Sequence, residues 1–165
     1  MLRLLQSTCL VAAAVAAAAY TITPAHAASE VRIEIWDKGN SSMDKLNSEP
    51  MRGYDEANLP NPTMGLKVST QTIKAGPVTF VAVNESKDLV HEMIISPLPN
   101  HPLPYTAEEM KVDEDKAVHL GEVSELPVGQ KGELKIDLKP GKYIVYCNMP
   151  GHYALGMWSQ INVVE

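Results

Sequence analysis

Near its carboxyl end the chain carries a cysteine, a histidine and a methionine at equal intervals. Cys147, His152 and Met157 form a Cys-x4-His-x4-Met pattern between one β-branched and aromatic run that ends at Cys147 and another that begins at Trp158. A loop that joins two adjacent strands can bend three side chains around one ion, and Pro150-Gly151 supplies a turn that brings His152 back toward the sulfur. A thiolate, two imidazoles and a distant thioether are the ligands that suit an electron-transferring copper ion.

The second imidazole is expected upstream, and His91 is the best candidate. It lies in an alternating run in which Leu89, Met93 and Ile95 share its face, so the ring is expected to point into apolar surroundings. A buried imidazole is costly unless it is hydrogen-bonded or coordinated. We therefore predict one copper site, cycling between Cu(I) and Cu(II), whose ligands are His91, Cys147, His152 and, axially, Met157.

The same loop resembles that of the cupredoxins, the blue type 1 copper proteins. The Cys-x4-His-x4-Met pattern with an upstream histidine is most similar to the rusticyanin, auracyanin and sulfocyanin type, since plastocyanin has a shorter gap between Cys and His. The stretch Ile73 to Phe80, with Asn84, also resembles the strands that precede the first histidine in these proteins. One departure is Glu92, which stands where many azurins and plastocyanins have Asn.

The resemblance extends from about Leu66 to Glu165 and implies a fold and an activity. It implies a Greek-key β-sandwich with copper near one end and one-electron transfer through the edge of His152. An apolar collar around that edge, formed by Pro150, Gly151, Tyr153, Ala154 and Leu155, would suit brief docking of a redox partner.

Most of the chain beyond residue 27 shows strand patterns. Val31 to Ile35 and Leu134 to Leu138 alternate apolar and polar residues, and the apolar run Val78 to Val83 suits a central strand. Short strands separated by Gly and Pro turns predict an antiparallel sandwich. Two segments differ: 37–64 is a long polar loop, and Thr106 to Lys116 is the one predicted helix, capped by Thr106. The predicted fold class is thus all-β, a cupredoxin-like Greek-key sandwich with one short helix and a long loop on its N-terminal side.

The first 27 residues have the features of a cleaved secretory signal peptide. A basic start at Arg3 precedes an Ala-rich apolar run and the small-x-small site Ala25-His26-Ala27. Cleavage would leave 28–165 as one cupredoxin domain, in the periplasm or secreted, without a membrane span. Cys9 would leave with the signal, so Cys147 would be the only remaining cysteine.

The charge of the chain bears on its partners. Arg3 is the only charged side chain in residues 1–27, so the net charge of −6 would become −7 after cleavage. This negative charge argues against nucleic acid and anionic membranes as binding partners. We expect a monomer that meets redox proteins such as c-type cytochromes or oxidases.

The leading interpretation is an electron carrier and not an enzyme. Four protein ligands leave no open position for a substrate, and catalytic metals usually keep one open. The alternative is a copper chaperone or copper-resistance protein in which Met43, Met51 and Met64 collect Cu(I). An oxidase or nitrite-reductase module is disfavoured because the sequence has no second His-rich cluster. A zinc site would have no use for the axial methionine.

Two further histidines are not expected to be metal ligands, and an acidic run has a separate interpretation. His101 lies among prolines, and His119 flanks a predicted strand without a soft ligand nearby. The acidic run is expected to form a solvated helix face, with docking of a basic cytochrome as the alternative; it comprises Glu108, Glu109, Asp113, Glu114 and Asp115.

Overall fold

The computed structural model describes residues 28–47 and 62–165, which form two β-sheets packed face to face and a small third sheet. The strands are β1 (Ser29–Asp37), β2 (Met64–Val68), β3 (Thr72–Lys74), β4 (Gly76–Asn84), β5 (His91–Pro97), β6 (Tyr105–Thr106), β7 (Lys111–Val112), β8 (Gly121–Leu126), β9 (Lys131–Leu138), β10 (Gly141–Tyr146) and β11 (Trp158–Val164). A 3₁₀ helix covers Asn40–Asn47, and an α-helix, α1, covers Glu114–Ala117.

The order of the strands confirms the predicted sandwich. One sheet has the order β2-β1-β4-β9, the other β3-β11-β10-β5-β8, and β6 pairs with β7. Most strand pairs are antiparallel, as predicted, but β1 runs parallel to β4 and β11 runs parallel to β3. Between β1 and β4 the chain crosses to the second sheet at β3 and returns, and such a crossover permits parallel neighbours.

The main core lies between the two large sheets and follows the alternation in the sequence. Alternate residues of β1 are fully buried, as are those of β4, and they meet β5 and β10 of the opposite sheet. The prediction of a central strand is confirmed for β4, which pairs with β1 and β9. Its intervening residues, such as Val81, are only half-buried.

The second sheet is covered on its outer face as well. Residues 98–117 lie across it, and Leu103, Val112 and Ala117 pack against Ile94 and Tyr146. This cover is why the first six residues of β5 are all buried. The first residue of that strand, His91, therefore lies inside the protein.

The predicted helix from Thr106 to Lys116 is wrong in its extent. Thr106 lies in β6, and Met110 has a positive φ of 54° that no helix interior accommodates. Asp113 caps the short helix, because its side chain accepts a hydrogen bond from the Lys116 N–H.

The predicted signal peptide and part of the predicted loop lie outside the described residues. Of the predicted loop 37–64, the structure places Asp37 at the end of β1 and Met64 at the start of β2. Within the described ranges, no helix is long and apolar enough to span a bilayer.

Candidate metal centre

Three of the four predicted ligands come together at one end of the sandwich. His91 begins β5, Cys147 follows β10, and these strands are neighbours in register, with Ile94 opposite Tyr146. The Cys147 Sγ lies 3.7 Å from His91 Nδ1 and 3.4 Å from His152 Nδ1, and the two nitrogens are 3.1 Å apart. His91 and Cys147 are completely buried and His152 is 5% exposed.

The loop after β10 is closed by its own backbone. The Cys147 N–H donates to the Met157 carbonyl at 3.0 Å, and the His152 N–H donates to the Met149 carbonyl at 2.9 Å. Gly151 has a φ of +83°, which completes a type II turn with Pro150 before it. The predicted role of Pro150-Gly151 in returning His152 toward the sulfur is consistent with this geometry.

Asp37 holds the first histidine from behind. The His91 Nε2 lies 3.1 Å from Asp37 Oδ2, and both side chains are fully buried. Burial opposes ionisation of Asp37, but hydrogen bonds from His91 and from the backbone N–H groups of Gly39 and Lys87 outweigh it and lower its pKa. An ionised Asp37 fixes the proton of His91 on Nε2, which leaves Nδ1 free to face the other two donors.

Both imidazoles are neutral near pH 7. Burial, followed by the charge of His91, lowers the pKa of His152 to about 4. Burial also lowers the pKa of His91, although Asp37 opposes the shift. Each ring therefore offers a lone pair without first having to lose a proton.

The cysteine is a thiol until a cation replaces its proton. Burial raises the pKa of Cys147 to about 12. The Glu92 N–H donates a hydrogen bond to Sγ at 3.4 Å. A thiolate in this position needs a positive charge beside it, and a bound metal ion provides one.

The spacing and type of these donors fit copper. Bonds of metal–nitrogen and metal–sulfur length in a trigonal arrangement separate the donor atoms by about 3.5–3.8 Å, and the three observed separations lie near this range. Two imidazoles and one thiolate in a closed apolar site form the donor set of a type 1 copper centre.

Met157 is the fourth predicted ligand. It is completely buried and belongs to the same core cluster as Cys147. Its thioether as the axial ligand stays a prediction.

Two asparagines hold the segments that carry the ligands. The Asn84 Nδ2 donates to the carbonyls of Leu89 and Leu126, which fixes the turn that leads to His91. Asn148 follows Cys147 directly; its Oδ1 accepts from the Val112 N–H, and its Nδ2 donates to the Val112 carbonyl and to Glu114 Oε1. The loop 147–157 between β10 and β11, called the copper loop below, is therefore tied to the segment that covers the second sheet.

The apolar collar expected around His152 is not an open patch. Tyr153, Ala154 and Leu155 are at least nine-tenths buried, and of the five collar residues only Pro150 is exposed. The 3₁₀ helix Asn40–Asn47 causes part of this burial, because its Leu46 lies directly over Gly151.

Sequence reasoning missed Asp37 as part of the centre. It is 54 positions away from His91 in the sequence, and only the parallel pairing of β1 with β4 brings it near. Ile35 lies opposite Asn84 in that pairing, so the next residues of β1 meet the turn before His91. The only sign of this role in the sequence is that an acid, Asp37, stands at the end of the alternating strand β1.

Comparisons with known proteins agree with this geometry. A sequence profile described as "Copper binding proteins, plastocyanin/azurin family" matches residues 56–164. A search among curated proteins finds no match.

Among solved structures, rusticyanin from Thiobacillus ferrooxidans is similar, with 19% identity, a TM-score of 0.51 and coverage of 84% of this chain and 79% of that one. A structure of rusticyanin variants has 18% identity, a TM-score of 0.52 and coverage of 84% and 80%. Auracyanin from Roseiflexus castenholzii has 16% identity, a TM-score of 0.49 and coverage of 84% and 98%. At these sequence identities, the similarity to the rusticyanin structures supports the fold alone.

Proposed function

The chain belongs to the plastocyanin/azurin family of copper-binding proteins, and on that premise we propose that it is an exported carrier of single electrons and not an enzyme. Its cofactor is copper at a type 1 site. We propose as ligands His91, Cys147, His152 and Met157. When bound, copper supplies the exchange of one electron between Cu(I) and Cu(II).

The main support for this proposal is that three donor atoms lie close together in a site from which water is almost completely excluded. The donor atoms of His91, Cys147 and His152 lie within 3.7 Å of one another, and their side chains are almost completely excluded from water. A site of this kind leaves little room for a substrate. Because Asp37 and the Glu92 N–H hold His91 and the sulfur from behind, the ligands keep their positions when the charge of the site changes.

Export and the choice of partner are further parts of the proposal. The basic and apolar residues 1–27 support secretion to the periplasm or beyond. The net negative charge supports encounters with a basic redox protein such as a c-type cytochrome or an oxidase. We propose that the protein meets this partner as a monomer. The near burial of His152 implies that the partner approaches the copper through a thin layer of protein and not through an open ring edge.

The site is tested by replacing its sulfur. A Cys147→Ser variant is expected to lose the strong visible absorption that arises from charge transfer between thiolate sulfur and copper. His101→Ala, which removes an exposed histidine that is not one of the proposed ligands, serves as the control and is expected to keep the colour. Colour that survives in the Cys147→Ser variant would overturn the assignment.

Electron carriage is tested against copper delivery on the same purified protein. We expect a reversible one-electron wave in voltammetry, rapid electron exchange with a c-type cytochrome, and slow loss of copper to a Cu(I) chelator. Rapid loss of copper together with slow electron exchange would favour the chaperone. The chaperone alternative predicts that three methionines collect Cu(I). Of these, Met64 is buried in the core, Met43 packs against that core, and Met51 lies outside the described residues.

A further inference from the structure

A second group of metal-binding side chains lies beside the copper loop, where α1 leads into β8. Glu114 begins α1, and the His119 N–H donates to its carbonyl at 3.3 Å. Val118, in the left-handed conformation, turns the chain so that His119 approaches Glu122 of β8. One donor atom from each of the three side chains lies within 4.8 Å of the other two, and the His119 Nε2 is 3.6 Å from Glu122 Oε2.

We propose that Glu114, His119 and Glu122 form a second site, which binds a divalent first-row transition ion such as zinc, although the sequence around His119 did not predict one. One imidazole and two carboxylates suit such an ion better than they suit magnesium or calcium, which take oxygen ligands alone. Bonds of ordinary length place donor atoms about 3.3–3.6 Å apart around the ion. The side chains of His119 and Glu122 are 33% and 34% exposed, so small rotations can close the remaining gap and water can complete the coordination.

An independent observation is the buried carboxyl of Glu92 beneath this group. Glu92 is only 7% exposed, and its Oε1 has no hydrogen-bond partner. Ile94 pairs with Glu122 across β5 and β8, while Met93 and Val123 enter the main core. Alternation along the two strands therefore places Glu92 and Glu122 on the same outer face of the sheet.

The carboxyl of Glu92 lies among other charged groups of this region. Glu114, Glu122 and the cation Lys111 all lie near the Glu92 carboxyl, which also accepts a hydrogen bond from the Asn148 N–H. Three carboxyl groups thus share a small region that a divalent ion would neutralise.

The proposed site is connected to the copper loop through Asn148. The Asn148 Nδ2 donates to Glu114 Oε1 at 2.7 Å, which orients this carboxylate and leaves its other oxygen for a metal ion. Asn148 follows Cys147, and the Glu92 N–H donates to the same sulfur. A divalent ion here is therefore expected to raise the reduction potential of the copper, because a nearby positive charge disfavours the more highly charged Cu(II).

The test uses copper-loaded protein, in which the first site is already filled. Calorimetric titration with Zn²⁺ is expected to show one additional equivalent bound, and Mg²⁺ at the same concentrations is expected to show none. His119→Ala should weaken the zinc affinity by about tenfold or more, whereas the matched control His101→Ala should keep it. Retention of the visible absorption of copper in both variants shows that they are folded.

Voltammetry of the same samples provides a second measurement. Zn²⁺ is expected to raise the copper potential in the parent and in His101→Ala but not in His119→Ala. The absence of an additional zinc equivalent, zinc binding unaffected by His119→Ala, or an equal response to Mg²⁺ would overturn the site. Zinc binding that leaves the copper potential unchanged would overturn its connection to the copper loop.

Discussion

Asp37 orients the imidazole of His91 by accepting a hydrogen bond from its Nε2, and this one contact sets both the tautomer and the local charge of the centre. A carboxylate behind a metal-binding histidine makes the ring a better ligand and holds its plane in place. Because Asp37 is ionised and fully buried, its negative charge also acts on the copper through the ring.

Replacing this carboxylate with an amide should raise the reduction potential. Asp37→Asn removes a negative charge that favours Cu(II), and the Coulomb energy across a ring's width in a partly screened interior is about 2 kcal/mol. At 59 mV for each factor of ten, the expected rise is on the order of 50–100 mV, measured by voltammetry. The control Asp88→Asn removes an exposed carboxylate and should have a much smaller effect. A lower potential in Asp37→Asn would contradict this account.

At the scale of secondary-structure elements, the 3₁₀ helix Asn40–Asn47 and the copper loop depend on each other. A Cβ on Gly151 would lie 2.7 Å from Leu46 Cδ2 and 3.2 Å from Met43 Cε. Gly151 therefore meets two separate requirements, a left-handed backbone in the turn before His152 and a close approach of the helix.

Gly151→Ala should destabilise the protein more than the same change at Gly129. Both glycines have positive φ, and an alanine there costs roughly 1–2 kcal/mol. Only at Gly151 is a neighbour in the way, because nothing lies within 4 Å of a Cβ on Gly129. The additional loss should be about 1–3 kcal/mol, measured by urea unfolding.

The double variant Gly151→Ala/Leu46→Ala isolates the contact. If the clash with Leu46 causes the additional loss, removing Leu46 should recover part of it. Equal destabilisation at the two glycines would show that the 3₁₀ helix does not press on the copper loop.

Elements that follow from local alternation could be predicted from the sequence, and elements that depend on tertiary contacts could not. The alternation of β1 and β9 identified both strands, and the spacing from Cys147 to His152 indicated a loop that folds back. The segment from Thr106 to Lys116 has acids and a capping residue suited to a helix, yet its Val112 packs on the second sheet and the segment divides into short strands and the start of a short helix. The contact of Asp37 with His91 depends on a crossover between sheets that no local pattern records.

At the scale of the whole molecule, the buried donors make the metal-free protein sensitive to acid. The pKa of His152 falls from its ordinary 6.5 to about 4 in the folded chain, chiefly because of burial. Between these values the unfolded chain binds a proton that the folded chain does not, so the free energy of unfolding rises with pH across this window.

The metal-free protein should therefore lose up to about 3 kcal/mol of stability from this group as the pH falls from 6.5 to 4. Thermal unfolding at several pH values measures the loss. His152→Gln should lose much of the pH dependence in this window, whereas His101→Ala should retain it. A stability that is flat between pH 4 and 6.5 in the parent would show that the ring of His152 is not held neutral.

The central claim is that one sulfur and two ring nitrogens of this chain bind a single copper ion. X-ray absorption at the copper edge, recorded on protein loaded with one equivalent of copper, tests it most directly. The account predicts a first coordination sphere with one short copper–sulfur contact, which is absent in Cys147→Ser, and two imidazole nitrogens. A sphere made only of nitrogen and oxygen in the parent protein would contradict it.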